Sequence, residues 1–273
     1  MTHRIMAIIL AYNCQNEVKK TLKKIQKYEK YFHKICVIDN NSKDKTFDVV
    51  NTFIKKKKSK KYEIIKNLKN FGQGGSHKVA FEYTLKNKCD YCLVYHGDDQ
   101  ANIADFKKIL LSKSYNKFDA VLGARFLKDS KLINFPLYRI FGNKVFNFLY
   151  SLVTNYKIYD LGSGINLYGK KVVSDKYVKY IDNEMGFNYQ NTLLMINKKR
   201  NLKFYPISWK TEDEKSNVQL VSQTLKVLKI AFMYYLKDDY FRFLEKTSFY
   251  NTRTNSKIFG KSTQKKISWK FMI

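Results

Sequence analysis

The chain has 273 residues, 44% of them hydrophobic and 16% aromatic, enough for one substantial core with a small appended element. With 52 Lys and Arg against 23 Asp and Glu, its formal charge of +29 narrows the partners to anionic ones: nucleic acid, acidic membrane or phosphorylated small molecules. No apolar run approaches the length of a bilayer span, the longest candidate, Ile230 to Leu236, being about two helical turns, so an integral membrane protein is excluded.

In chain order, the start, Met-Thr-His-Arg, reads as no secretory leader and runs directly into the first of four short apolar runs: Ile5 to Ala11, Ile35 to Ile38, Tyr91 to Tyr95 and Ala120 to Leu122. Their apolarity is continuous rather than alternating, as strands buried on both faces of a parallel sheet require. Between them, Glu17 to Tyr31 places Val18, Leu22, Ile25 and Tyr28 three to four residues apart. Thr46 to Ile54 does the same with Phe47, Val50 and Phe53, so both segments read as helices. Lys55 to Lys61 reads as a solvated loop between helix and strand. Leu137 to Val153 is helical in pattern, and Asp160 to Gly164 is a turn-rich connection.

Val218 to Leu244, with Val221, Leu225, Leu228, Phe232, Leu236 and Phe243 separated by lysines, predicts one or two amphipathic helices; they cap the sheet or lie on an anionic leaflet. From Asn251 a basic tail ends in Trp269 and Phe271 and is expected to be loosely ordered. The chain therefore divides into a catalytic-sized unit over 1–217, helices over 218–250 and a tail over 251–273. Strand, helix, strand in repetition predicts an α/β fold with helices on both faces of a mostly parallel sheet. Cys14, Cys36, Cys89 and Cys92 read as reduced structural thiols of a cytoplasmic protein, since Cys89-x-x-Cys92 has no second pair to complete a zinc site.

Polar clusters follow the four apolar runs: Asn13 after the first, Asp39-Asn40-Asn41-Ser42 after the second, His96-Gly97-Asp98-Asp99-Gln100 after the third and Gly123-Ala124-Arg125 after the fourth. Each lies at a strand's carboxyl end, where open parallel sheets bind ligands. Asp98 and Gln100, two apart in an extended segment, share one side while Asp99 faces the other. A carboxylate and an amide oxygen placed together suit Mg²⁺ or Mn²⁺, which keep positions open for diphosphate oxygens. Arg139 and Asn143 are four apart on the helical segment and face the same way, as phosphate contacts would.

These stretches resemble family 2 glycosyltransferases in order and spacing: Ala11-Tyr12-Asn13, Val37 to Thr46, Asn70-Phe71-Gly72-Gln73-Gly74-Gly75, His96 to Gln100, Gly123 to Phe126, Pro136 to Asn143, Asp160 to Gly164 and Tyr205 to Trp209. The chain is most similar to the branch containing dolichyl- and polyprenyl-phosphate sugar synthases. The resemblance implies a GT-A fold, a nucleotide-sugar donor, a divalent metal and inversion at the anomeric carbon. It implies that Ala11, Tyr12, Asn13, Asp39, Asn70, Gly74 and Gly97 bind the donor, and that Asp98, Asp99, Arg125 and Arg139 are catalytic. Asn143, Asp160 and Ser163 would meet acceptor or phosphate, and Asp98, Gln100 and His96 would hold Mg²⁺ or Mn²⁺.

The pattern departs from the family's usual one at Leu10, Cys14, Asn16, Asn40 and Asn166, and at His96, where the common motif opens on aspartate. A neutral histidine nitrogen can still ligate Mn²⁺. The expected activity is transfer of a hexose to a polyprenyl phosphate or a cell-surface glycan in envelope polysaccharide synthesis, by a protein peripheral to the inner face of the membrane. A degenerate member that binds donor without turnover is the alternative. A lipid phosphate needs no general base, whereas a sugar hydroxyl would need Asp99, Asp160, Glu212 or Asp213. No nucleic-acid-binding module is recognisable, and no nucleic-acid partner is expected.

Overall fold

The computed structural model describes residues 3–211, 218–247, 255–259 and 267–270. The elements are β1 (Ile5–Ala11), α1 (Val18–Gln26), β2 (Lys34–Asp39), α2 (Thr46–Lys57), β3 (Tyr62–Asn67), α3 (Gly72–Lys86), β4 (Tyr91–His96), α4 (Lys107–Ser112), β5 (Ala120–Ala124), β6 (Lys131–Ile133), α5 (Leu137–Thr154), β7 (Ile165–Gly169), α6 (Lys170–Val173), α7 (Gly186–Asn197), β8 (Leu202–Pro206), β9 (Ser208–Lys210), α8 (Val218–Leu236), α9 (Tyr240–Thr247), β10 (Asn255–Phe259) and β11 (Ile267–Lys270).

A seven-stranded sheet in the order β3-β2-β1-β4-β7-β5-β8 forms the centre, and β7 alone runs against its neighbours β4 and β5. The continuous apolarity of β1 has a direct cause. Met6 and Ile8 enter a core on one face with α3, α7, α8 and α9, while Ile5, Ala7 and Ile9 enter a second core on the other face with α1, α2 and α4. This is the mixed α/β architecture with helices on both faces that the sequence predicts.

Three expectations need correction. Lys55 to Lys57 are the last turn of α2 and not a loop, because three lysines there complement the helix C-terminus. The helix expected from Glu17 to Tyr31 stops at Gln26 and is followed by a separate 3₁₀ turn over Glu29–Tyr31. The expectation of a loosely ordered tail is corrected at 255–259 and 267–270, the rest lying outside the described residues: β10 pairs antiparallel with β3 and β11 with β10, which covers the open backbone edge of β3. Val218 to Leu244 resolves into the two helices α8 and α9.

The sheet brings the carboxyl ends of β1, β2, β4 and β5 to one edge, because β5, twice reversed through β7, runs with β4. The turn that precedes β7 arrives at the same edge. A short flap of β6 paired with β9 lies over it, tied to the loop after β4 by Lys210 N–H donating to Gln100 O at 2.8 Å.

Candidate active site

The loops after β1 and β2 are fastened to each other. Asn13, in the left-handed region at φ 47°, receives Lys43 N–H on Oδ1 at 2.8 Å, and its own N–H donates to Ser42 Oγ. Cys14 N–H donates to Thr46 Oγ1 at 2.8 Å and Gln15 N–H to Asp44 Oδ2 at 3.1 Å. Inside this zipper Asp39 is fully buried, and its Oδ1 accepts from Ser42 N–H and Ser42 Oγ. Its Oδ2 has no partner among the described residues, and burial raises the carboxyl above the ordinary carboxylate value. An unsatisfied carboxylate oxygen at a strand end is a standing acceptor for a ligand's N–H or O–H. Tyr12, the first residue after β1, is 44% exposed.

Asn40 explains one departure from the family pattern. Its Nδ2 donates to Asn70 Oδ1 at 2.7 Å and Gly72 O at 3.2 Å, while its Oδ1 receives Asn67 Nδ2 and Phe71 N–H. An aspartate could not donate either of the first two bonds. Asn70 is thereby turned inward to receive Asn40 and Gly72 N–H at the start of α3. Gly74 faces the segment before α7, where a Cβ would stand 2.4 Å from Asp182 O. Gly97 is pressed against the end of β1, 3.1 Å from Leu10 O at the position of a Cβ. Four of the residues expected to bind donor, Asn13, Asn70, Gly74 and Gly97, therefore have identified structural duties in shaping the edge.

The loop after β4 is the centre of the site. Asp98 Oδ1 receives Gln100 N–H at 3.2 Å, and the loop is held from behind by Tyr95 Oη donating to Ala101 O and by a bridge between Ala101 and Trp209. Asp99, at φ 60°, turns the other way and pairs with Lys24 of α1 at 2.7 Å. The His96 ring is wedged between Gln73 Nε2, 3.3 Å from its Nε2, and Gly164, where a Cβ would lie 3.0 Å from its Nδ1. Burial, with the Arg125 charge nearby, pushes its pKa down to about 4, so the ring is a neutral imidazole at physiological pH.

The family's metal can be tested against these donors. Among the described residues no three His, Cys, Asp or Glu side chains are grouped so that they could hold a metal ion. In donor type alone, the carboxylate of Asp98, the amide oxygen of Gln100 and the neutral imidazole of His96 are compatible with a hard divalent ion that takes its remaining ligands from a diphosphate.

Arg125, 7% exposed, organises the far side. Its Nε and Nη2 grip the two Asp160 oxygens at 2.8 Å each, and its backbone N–H donates to Asp160 as well. Asn143 Oδ1 of α5 lies 3.4 Å from Nη2, and Arg139 is one helical turn earlier. Trp209, Phe126 and Phe135 surround the guanidinium with ring centroids 5.1 to 5.7 Å away. Ser163 donates to Ile165 O and to Asn166 Oδ1, which also receives Gly123 N–H, so Ser163 and Asn166 support the turn from below. Trp209 and Gln73, which touch Arg125 and His96, have no expected role from the sequence; both lie in stretches that carry the resemblance, but nothing in their local pattern shows what they meet.

His77 of α3 is fully buried against Phe187, with its Nε2 unpartnered, and burial lowers its pKa to about 3. Both histidines titrate near 6.5 once unfolded, so the unfolded state binds more protons below that pH and stability falls as pH drops from about 6.5 through about 4 for His96 and about 3 for His77. The two together are worth several kcal/mol, on the order of 1.4 kcal/mol per pKa unit. Thermal melts should show a steep loss of Tm across that window, and His77→Phe, which keeps the stack, should flatten it.

A family model described as glycosyl transferase family 2 matches residues 6–175. An uncharacterized protein of Methanocaldococcus jannaschii is 24% identical over 84% of this chain and 89% of its own length. A dolichyl-phosphate beta-glucosyltransferase of Dictyostelium discoideum is 30% identical over 47% of this chain, a match spanning 42% of that enzyme. Among solved structures, glucosyl-3-phosphoglycerate synthase of Mycobacterium tuberculosis bound to UDP superimposes with a TM-score of 0.64 at 8% identity, over 85% of this chain and 80% of the other. The same synthase is also known with Mn²⁺, UDP and phosphoglyceric acid. Mannosyl-3-phosphoglycerate synthase of Rubrobacter xylanophilus gives a TM-score of 0.57 at 13% identity, over 84% and 72%. These likenesses share the fold.

Proposed function

The chain belongs to glycosyl transferase family 2, and from that premise we propose that it transfers a hexose, with inversion, from a nucleoside diphosphate sugar to an acceptor that presents a phosphate, a polyprenyl phosphate in preference to a glycan hydroxyl. The observation that carries the reading is the single sheet edge that carries the Asp39 oxygen left without a partner among the described residues, the Asp98–Gln100 turn and the Arg125 guanidinium, at the ends of β2, β4 and β5.

In this reading Asp39 and Tyr12 receive the nucleoside, with Ala11 forming the pocket floor. Asp98 and Gln100, with the neutral His96 ring beside them, would hold the divalent ion, which when bound neutralises charge on the departing diphosphate. Arg125, Arg139 and Asn143 meet phosphate oxygens of donor or acceptor, Arg125 being held in place by Asp160.

Two acids that could deprotonate a sugar hydroxyl are already committed: Asp99 to Lys24 and Asp160 to Arg125. Glu212 and Asp213 lie outside the described residues. An acceptor that is itself an anion needs no base, and this favours a phosphate over a hydroxyl. The mycobacterial synthase, known with UDP and Mn²⁺, supports a uridine donor and a divalent ion.

The test is a thermal-shift screen of UDP-, GDP- and CDP-sugars with and without Mn²⁺ or Mg²⁺, followed by nucleoside diphosphate release on adding polyprenyl phosphate. One nucleotide should raise Tm by several degrees only with metal, and release should need the phosphate. Stabilisation without release under any acceptor would favour a donor-binding protein that has lost turnover.

A further inference from the structure

α5 and α8 lie against each other, with Tyr150 Oη donating to Val227 O at 2.8 Å, and each leaves a row of large apolar side chains in solvent. On α5 the row is Leu137, Phe141, Val145, Phe148 and Leu152, exposed by 82, 73, 38, 62 and 62%. On α8 it is Val221, Leu225, Leu228, Phe232 and Tyr235, exposed by 68, 63, 39, 60 and 71%. The spacing of three and four keeps each row on one side of its helix, and fifteen steps from Leu137 to Leu152 extend it about 22 Å. Isolated exposed apolar residues are ordinary; two such rows on neighbouring helices are a surface built to be covered.

Charge identifies the cover. Neither helix contains an aspartate or glutamate, and Arg139, Lys144, Lys226 and Lys229 are distributed along them. Lys144 and Lys229 are exposed beside the rows, while Lys226 is paired with Asp182 at 2.7 Å. A second copy docked on the same face would set these cations against their own symmetry mates. An anionic leaflet takes apolar side chains into its acyl boundary and lysines among its headgroups. No described helix is long and apolar enough to cross a membrane, so the contact is interfacial.

The opposite side of α5 carries Arg139 and Asn143, the latter turned to Arg125, so the helix that would rest on the leaflet also leads to the phosphate side of the site. We propose that the exposed rows of α5 and α8 form an interfacial docking surface for an anionic lipid bilayer, α5 being the wall between leaflet and active site. This deepens the lipid-phosphate reading and rests on it only for the acceptor, since the surface itself is read from exposure and charge.

The test is flotation of the full chain with phosphatidylcholine vesicles and with mixed phosphatidylcholine–phosphatidylglycerol vesicles at low and high salt. Binding should be strong on the mixed vesicles, weak on the neutral ones, and reduced by salt. Phe141→Glu with Phe148→Glu on α5, and separately Phe232→Glu on α8, should each lower it at least tenfold. Lys144→Glu with Lys229→Glu should lower it about fivefold for each lysine. All variants should keep the wild-type melting temperature and nucleotide-dependent shift, because the changed side chains are in solvent.

Wild-type binding by the apolar-to-acid variants, or no binding to anionic vesicles at low salt, would overturn the proposal. So would a solution dimer that Phe232→Glu dissociates. A protein that floats but shows no nucleotide shift would leave the surface standing and sink the transferase reading instead.

Discussion

Asp98→Ala is expected to abolish sugar transfer while leaving the protein folded, with turnover of the donor down by roughly a thousandfold. The magnitude follows from the several kcal/mol by which a divalent ion stabilises developing charge, at about 1.4 kcal/mol per factor of ten. Asp98 supplies the carboxylate of the proposed donor set, and no second acid replaces it there because Asp99 is turned to Lys24. The metal dependence of nucleotide binding should disappear along with turnover, which separates loss of the ion from loss of a base. Melting temperature should change little, since Asp98 is only partly buried and the loop keeps its anchors at Tyr95, Ala101 and Lys210. A variant with full metal-dependent turnover would refute the placement of the ion.

The second large effect is expected at Arg125 and Asp160. Their side chains are 8 and 0% exposed, so removing one partner strands the other's charge away from water. Asp160→Leu alone should cost about 3–5 kcal/mol of unfolding free energy, and Arg125→Met alone a similar amount. The double replacement should recover most of that loss, because an apolar pair of similar volume needs no counter-charge. It should not recover transfer, because the guanidinium is the proposed phosphate contact. Denaturant unfolding and product formation on the same three variants will separate the two roles. Recovery of activity in the double variant would make the pair purely structural.

The parts of the fold legible in the sequence were those whose residues report a local environment. β1, β2, β4 and β5 were legible because both faces of each are buried, which makes their apolarity continuous. Their polar ends marked the functional edge for the same reason: hydrophilic residues follow directly on a buried strand only where something must be bound or turned. α3 was illegible because it begins Gly-Gln-Gly-Gly and is buried around most of its circumference, so it has neither a good helix start nor an apolar stripe.

The tail strands were illegible because their pairing depends on an open edge nearly two hundred residues earlier in the chain. At the site, residue type alone could not separate side chains that line a pocket from those that build it. Asn13 and Asn70 have the composition of ligand contacts, yet their amide oxygens accept from Lys43, Asn40 and Gly72. Asp99 and Asp160 have the composition of bases, yet each is neutralised by a cation that sequence spacing does not reveal.

Trp209 gives the molecule an optical consequence. The chain has two tryptophans, and the indole of this one lies 5.1 Å from the Arg125 guanidinium, contacts the position of a Cβ on Gly164, and is joined through its backbone to Ala101 beside the Asp98 turn. Charge arriving at Arg125 changes the electric field across that ring, and any shift of the loop after β4 moves it. In a Trp269→Phe variant, the emission of Trp209 is expected to report without a label on filling of both halves of the proposed site, and stopped-flow fluorescence would time the order in which they fill.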